Sequence, residues 1–143
     1  MDIQSLFSID GKVALVTGGS RGIGEMIAAG FLANGAKVYI SSRKAAACET
    51  TAQRLMEQFG GECVAVPGDA STLAGIDAIV AELSSRENEL DILVNNAGVS
   101  WGATLEEFPE IGWDKVFNTN VKGPFFLIQR LLPLLEAAGT PED

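Results

Sequence analysis

The residues of this chain best suited to chemistry are glycines, amides and arginines grouped at the ends of apolar runs. Thr17-Gly18-Gly19-Ser20-Arg21-Gly22-Ile23-Gly24 is a glycine-rich turn preceded by Lys12-Val13-Ala14-Leu15-Val16, which reads as a buried strand. It is followed by Glu25 to Asn34, where Met26, Ile27, Phe31 and Leu32 are spaced as one face of a helix. Glycines let a backbone turn tightly and approach a pyrophosphate, and a helix N-terminus presents free N–H groups to that anion. Strand, glycine turn and helix in this order signal dinucleotide binding; a glycine-rich turn without a ligand is the alternative.

Three further groups fall where the same ligand would need them. About 20 residues past the turn, Ser41-Ser42-Arg43-Lys44 closes the second apolar run. An acidic residue there would bond the ribose 2′-hydroxyl of NAD, whereas an arginine accommodates the 2′-phosphate of NADP. Ser42 and Arg43, with Arg21 in the turn pointing to the same region, favour NADP over a pair of solvated arginines. Gly68-Asp69-Ala70-Ser71 follows the third run, and Asp69 there is open to two readings, a ligand contact or the N-cap of the next helix. Asn95-Asn96-Ala97-Gly98-Val99 follows the fourth run, at the carboxyl end of a strand, where ligands of open α/β sheets lie.

The elements that must position these residues alternate along the chain. Strands are expected over 12–17, 37–41, 63–66 and 91–95, and helices over 22–34, 45–59 and 72–87. A fourth helix is expected from Ile111 or Gly112 to about Ala138. Gly35, Gly60-Gly61 and Gly139 stand where left-handed helix C-caps fall. Short, continuously apolar, β-branched strands alternating with helices predict a doubly wound α/β unit, a four-stranded parallel sheet with right-handed crossovers and helices on both faces. The 143 residues are expected to form one domain. The run Asp91 to Asn95 would be an open edge of Ile, Leu and Val, which natural sheets avoid. The tail from Gly139 to Asp143 reads as a loop leading to another strand. The expectation is therefore an N-terminal part of a longer protein, with the C-terminal strands missing.

Composition sets limits. A formal charge of −9 argues against a nucleic-acid partner. No apolar run approaches the ~20 residues of a membrane span, and Met1-Asp2-Ile3-Gln4 does not open a secretory signal. Cys48 and Cys63 read as ordinary buried or half-buried thiols, consistent with a reducing, cytoplasmic setting. Histidine is absent, which excludes a Ser-His-Asp triad and a His-ligated metal site made by this chain alone.

The set Thr17–Gly24, Asp69, Asn95–Gly98 and Asn118-Thr119-Asn120-Val121 resembles the short-chain dehydrogenase/reductase family over essentially the whole chain. The resemblance implies a Rossmann-type, NADP(H)-binding domain over 1–143, in which Gly18, Gly22 and Gly24 cradle the pyrophosphate. Thr17, Ser20, Arg21, Ile23, Ser42, Arg43, Asp69, Ala70, Asn96, Ala97 and Gly98 complete the implied cofactor site. Within it Asp69 contacts the adenine, and Asn95 to Gly98 supports the sheet and the nicotinamide ribose. Asn120 matches the family's catalytic asparagine, which holds a water in a proton relay; by spacing alone it also fits a helix-interior amide bonded to nearby backbone. Within the family, the glycine turn, Ser41-Ser42-Arg43 and Ser100-Trp101-Gly102 look like bacterial NADPH-dependent 3-oxoacyl reductases of the rhamnolipid-synthesis type. Trp101 and Trp113 then line either an acyl-substrate opening or a core or interface.

The chain departs from the family at one decisive point. The family's chemistry uses a serine, a tyrosine that donates a proton and a lysine four residues after it. No Tyr-x-x-x-Lys occurs here: the one tyrosine, Tyr39, lies on the second strand with Arg43 four residues later. The resemblance therefore implies an NADP-dependent reductase of a small carbonyl substrate whose present chain is inactive, having lost its general acid. A non-catalytic dinucleotide-binding or sensor module is the alternative. A third reading is an interaction fragment, because Val116, Phe117, Val121, Phe125, Phe126, Ile128, Leu131, Leu132 and Leu135 exceed what one sheet face needs. That surplus suits a homo-oligomer, a dimer or tetramer.

Overall fold

A computed structural model describes residues 6–139. The readings on Met1–Gln4 and on Thr140–Asp143 lie outside the described residues. The elements are β1 (Val13–Thr17), α1 (Gly22–Ala33), β2 (Lys37–Ser41), α2 (Ala45–Phe59), β3 (Cys63–Ala65), α3 (Leu73–Ser84), β4 (Ile92–Val94), α4 (Glu110–Phe117), a π-helical turn (Asn118–Lys122) and α5 (Gly123–Ala138).

The sheet is parallel with the order β3-β2-β1-β4. The chain steps outward from β1 to β3, then returns to place β4 on the other side of β1. β1 is buried throughout because it has a strand on each side and a helix layer on each face. Its alternate residues divide between two cores, as the two-residue strand period requires. Val13 and Leu15 join Tyr39 with Ile76, Ile79 and Leu83 of α3 and Leu127 and Leu131 of α5. Val16 joins Val38 and Ile40 with Ala28 and Leu32 of α1 and Ala52 and Leu55 of α2. The doubly wound reading thus holds, and β4, with its three residues half-buried, is one edge of the described sheet. No helix among the described residues is long and apolar enough to cross a membrane.

Several local expectations need correction. Met26 is 70% exposed; the stripe α1 buries is Gly24, Ala28 and Leu32, because close packing on the sheet selects small inner residues. The third and fourth strands end earlier than expected, at Ala65 and Val94, and α3 ends at Ser84 rather than at 87. Gly35, Gly60 and Gly61 do take positive φ, but Gly139 does not: it leaves α5 by extended backbone at φ −68°. The expected fourth helix begins at Glu110 and is broken by the π-helical turn. Pro124 supplies the reason. It has no N–H for the carbonyl of Asn120, four residues earlier, and its ring crowds that carbonyl, so the helix widens there.

Two polar clusters fasten the amino ends of the strands, opposite the carboxyl ends where the sequence motifs fall. Asp91 takes Lys12 Nζ at 2.8 Å and the Val13 N–H at 2.8 Å, joining β4 to β1. Burial would push the Asp91 carboxyl up, but Lys12 and the Val13 N–H outweigh it and hold it below the usual carboxylate range. Glu87 accepts from Lys37 at 2.8 Å and from the buried Tyr39 hydroxyl. Its carboxyl is likewise lowered against the opposing effect of burial, chiefly by Lys37. Burial, then the Glu87 bond, pushes the Tyr39 phenol up to about 12. Cys48 and Cys63 are free and buried, and burial raises both thiols.

A carboxyl lowered by folding contributes stability above its unfolded value, about 3.9 for aspartate, and that contribution is lost as pH falls through the folded value. Asp91→Asn should cost about 1–2 kcal/mol at pH 7, measured by urea unfolding. The gap between the two proteins should shrink below about pH 4.

Candidate functional site

A cleft of about 820 Å³ opens at the carboxyl ends of the strands. The glycine turn after β1, Ser41–Lys44 at the end of β2, Gly68–Ser71 after β3 and Asn96–Val99 after β4 form its walls. Lys115 of α4 and Thr119 of the π-helical turn close one side. The order β3-β2-β1-β4 puts the reversal of the chain between β1 and β4, the switch point where ligands of such sheets bind.

The glycine turn is held in a shape that side chains would prevent. Gly18 and Gly22 have φ of +67° and +57°. A Cβ on Gly24 would run into the Gly18 carbonyl and stand 2.5 Å from the Asn96 amide. Helix α1 begins here with Arg21 at its N-cap and no side chain capping it, so its first N–H groups are without intrahelical partners. The acidic residue of that first turn, Glu25, is drawn to Arg54 of α2 at 2.7 Å. Thr51 of α2 donates to the Ser20 carbonyl at 3.0 Å, and the Gly19 N–H donates to the Ser41 carbonyl at 3.1 Å. The turn is thus tied to α2 and β2.

Asn96 and Thr17 tie it to β4. Asn96 Nδ2 donates to the Thr17 carbonyl at 2.9 Å and, more weakly, to the Gly18 carbonyl at 3.4 Å. The Thr17 hydroxyl accepts from the Ala97 N–H at 3.0 Å and donates to the Val94 carbonyl at 3.3 Å. Thr17 itself is buried and does not line the cleft. Gly18, Ser20, Arg21, Gly22, Ile23, Gly24, Ser42, Arg43, Asp69, Ala70, Asn96, Ala97 and Gly98 all do.

Asp69 is not the helix N-cap that the sequence left open. Thr72 caps α3, accepting from the Gly75 N–H at 3.1 Å. Asp69 Oδ1 instead accepts from the Ser71 N–H at 2.9 Å and from the Ser71 hydroxyl at 2.6 Å, closing a local turn that leaves the residue on the cleft wall. Asn120 is exposed and does not line the cleft. Its Oδ1 accepts from the Val99 N–H and its Nδ2 donates to the Val99 carbonyl, both at 2.9 Å. The side chain therefore clamps the loop after β4, as the backbone-bonded reading required. The carbonyl of Asn120 is the group that Pro124 releases from the α-helical ladder.

These residues fit a dinucleotide carrying an extra phosphate. Uncapped N–H groups at the start of α1 suit a pyrophosphate, and Arg21, Arg43 and Lys44 share the cleft with no ion pair among the described residues. Tyr39 is fully buried, bonded to Glu87 and absent from the lining, so it is no proton donor for this cleft. Sequence reasoning missed Ala47, Lys115 and Thr119. Ala47 follows the basic strand end closely enough to have been included, whereas Lys115 and Thr119 reach the cleft only because α4 folds back beside it.

Comparison with known proteins agrees with this geometry. The family described as short chain dehydrogenase matches residues 12–140. A rhamnolipid-biosynthesis 3-oxoacyl-[acyl-carrier-protein] reductase of Pseudomonas aeruginosa is 52% identical over 96% of this chain and 53% of its own length. The solved complex of Pseudomonas aeruginosa RhlG with NADP superposes with a TM-score of 0.90 over the same shares at 52% identity. L-sorbose reductase from Gluconobacter frateurii, solved with NADPH and L-sorbose, gives 0.88 at 36% identity, over 92% of this chain and 50% of that one. The chain spans about half the length of the curated relatives it matches. With nearly all of its residues inside the family match and its glycine turn and Asn96 loop built around one cleft, the chain belongs to the short-chain dehydrogenase family.

Proposed function

We propose that this chain is the N-terminal, NADP(H)-holding part of a longer reductase that converts a carbonyl, of the 3-oxoacyl class, to an alcohol. The observation that carries the proposal is the cleft wall at the end of β2. Ser42, Arg43 and Lys44 stand there with Arg21 and with no carboxylate of their own, a donor set for a ribose 2′-phosphate. The NADP and NADPH complexes of the relatives support it, and their doubled length supports the reading of 1–143 as one part of a larger catalytic unit.

Bound NADPH would supply the hydride. In this reading the chain's own residues bind and position. The first N–H groups of α1, with Gly18, Gly22 and Gly24 leaving room, hold the pyrophosphate. Ser20 and Ile23 flank it, Asp69 and Ala70 line the adenine side, and Asn96, Ala97 and Gly98 frame the nicotinamide ribose, with Thr17 bracing them from behind through Ala97. Asn120 acts through Val99, fixing the loop after β4, and in this reading also holds a water of the proton relay. The stripe Trp113, Phe117, Val121, Phe125, Ile128 and Leu132 is exposed on α4, the π-helical turn and α5, which supports a homo-oligomeric assembly. The buried free thiols suit a cytoplasmic setting. A non-catalytic dinucleotide-binding module is the second reading: the cleft gathers binding side chains, and Tyr39 is buried away from it.

Calorimetric titration should show saturable binding that prefers NADPH to NADH by about tenfold or more, and Arg43→Gln should remove most of that preference, since a bidentate phosphate contact is lost. No binding of either dinucleotide would sink the proposal. The chain alone should reduce no ketone with NADPH above background; turnover by the purified protein would show a general acid elsewhere. Asn120→Ala should destabilise the fold by about 1–2 kcal/mol and speed exchange of the Val99 amide, read by NMR, while leaving the β1 amides protected.

A further inference from the structure

Of the ten lysines and arginines of this chain, all but Lys122 fall into two groups. Lys12, Lys37, Arg54, Arg86 and Arg130 sit in ion pairs away from the cleft. Arg21, Arg43, Lys44 and Lys115 line the cleft, and none of them forms an ion pair among the described residues. In a chain of formal charge −9, four unneutralised cations around one cavity make it a local well for anions.

Lys115 stands apart from the other three. Arg43 and Lys44 follow β2 and Arg21 belongs to the turn after β1, whereas Lys115 comes from α4, on the side where Val99 follows β4. Strands β2 and β4 flank β1, so their ends are about 10 Å apart. The pyrophosphate and 2′-phosphate of a dinucleotide are matched by the start of α1 and by the arginines, which leaves the Lys115 charge without a dinucleotide phosphate to meet.

Its position is also built. The Trp101 indole lies against the α4 backbone at Gly112, where an added Cβ would stand 2.8–2.9 Å from three ring atoms. Any side chain at 112 would displace the ring. Lys115 Nζ lies 5.5 Å from the centroid of that ring. A ring face attracts an ammonium without cancelling its charge, as a carboxylate would. The lysine is thus steadied at the cleft and still able to pair with an anion.

We propose that Lys115, steadied by Trp101, is a specificity-determining residue that selects carbonyl substrates bearing a phosphate or carboxylate, and that it is not part of the dinucleotide site. This rests on the reading of the cleft given under Proposed function. The interaction is a charge-assisted hydrogen bond, with no covalent step.

The test uses the purified chain with and without saturating NADP+, following tryptophan emission, which the Trp101–Lys115 contact makes responsive. The probes are acetoacetate for the carboxylate source, dihydroxyacetone phosphate for the phosphate source, and methyl acetoacetate as the uncharged control; calorimetry gives the NADPH Kd. The charged probes should bind better than the ester, and whichever binds more tightly identifies the source. Lys115→Gln should weaken them about threefold to tenfold, leave the ester unchanged and shift the NADPH Kd far less than Arg43→Gln does. Lys115→Arg should retain the preference. Charged and uncharged probes binding alike, or an anion preference that survives Lys115→Gln, would overturn the role of Lys115 while leaving the dinucleotide reading intact. An NADPH Kd weakened by Lys115→Gln as much as by Arg43→Gln would overturn it too, by assigning the lysine to the dinucleotide. Failure of the unaltered chain to bind NADPH would overturn the reading of the cleft and this inference with it.

Discussion

The Nδ2 amide of Asn96 donates to the carbonyls of Thr17 and Gly18 while the Thr17 hydroxyl bridges Ala97 and Val94. These bonds begin where the β1–β4 ladder stops, and they satisfy backbone groups that would otherwise be left unpaired beside the core. They also draw the glycine turn so close to the loop after β4 that Gly18 and Gly24 have no room for a Cβ. The two motifs are therefore halves of one device. The glycines permit an approach that Asn96 enforces, and the start of α1 is left uncapped and facing the cleft as a result.

Charge is arranged around that device by exclusion. The protein is strongly acidic, yet several of its carboxylates are paired away from the cleft: Asp91 with Lys12, Glu87 with Lys37 and Tyr39, Glu25 with Arg54, and Asp77 with Arg130. Two of these clusters lock the amino ends of the strands, opposite the cleft. At the carboxyl ends the one carboxylate on the cleft wall, Asp69, is turned onto Ser71. Arginines and lysines consequently set the local field although they are outnumbered in the whole chain.

The break in the last long helix serves the same end. Pro124 removes one N–H, the helix widens over Asn118–Lys122, and Asn120 is carried to Val99, which it grips through both backbone groups. Gly123 then lets α5 pass close to the Ala70 carbonyl, where a Cβ would not fit. A single turn of irregular helix thus braces the loops that follow β3 and β4.

Much of this was legible from residue order. The strand–turn–helix rhythm, the parallel doubly wound sheet, the glycine turn and the basic end of β2 all depend on neighbours in the chain, and periodicity records neighbours faithfully. The apolar face of α1 was misjudged at Met26 because the packing distance at Gly24 and Ala28, not hydrophobicity, chose the buried stripe. The π-helical turn escaped because helical spacing in the sequence runs straight through it. Asp69 was ambiguous until Thr72 was seen to cap α3. Lys115 carried no signal, and Thr119 stood in the Asn118–Val121 motif with no place in the cleft assigned to it. They reach the cleft because residues roughly 90 positions from the glycine turn fold back beside it, and which distant side chains share a cavity is set by how helices pack on a sheet, a property of the assembled core that no local stretch of sequence contains.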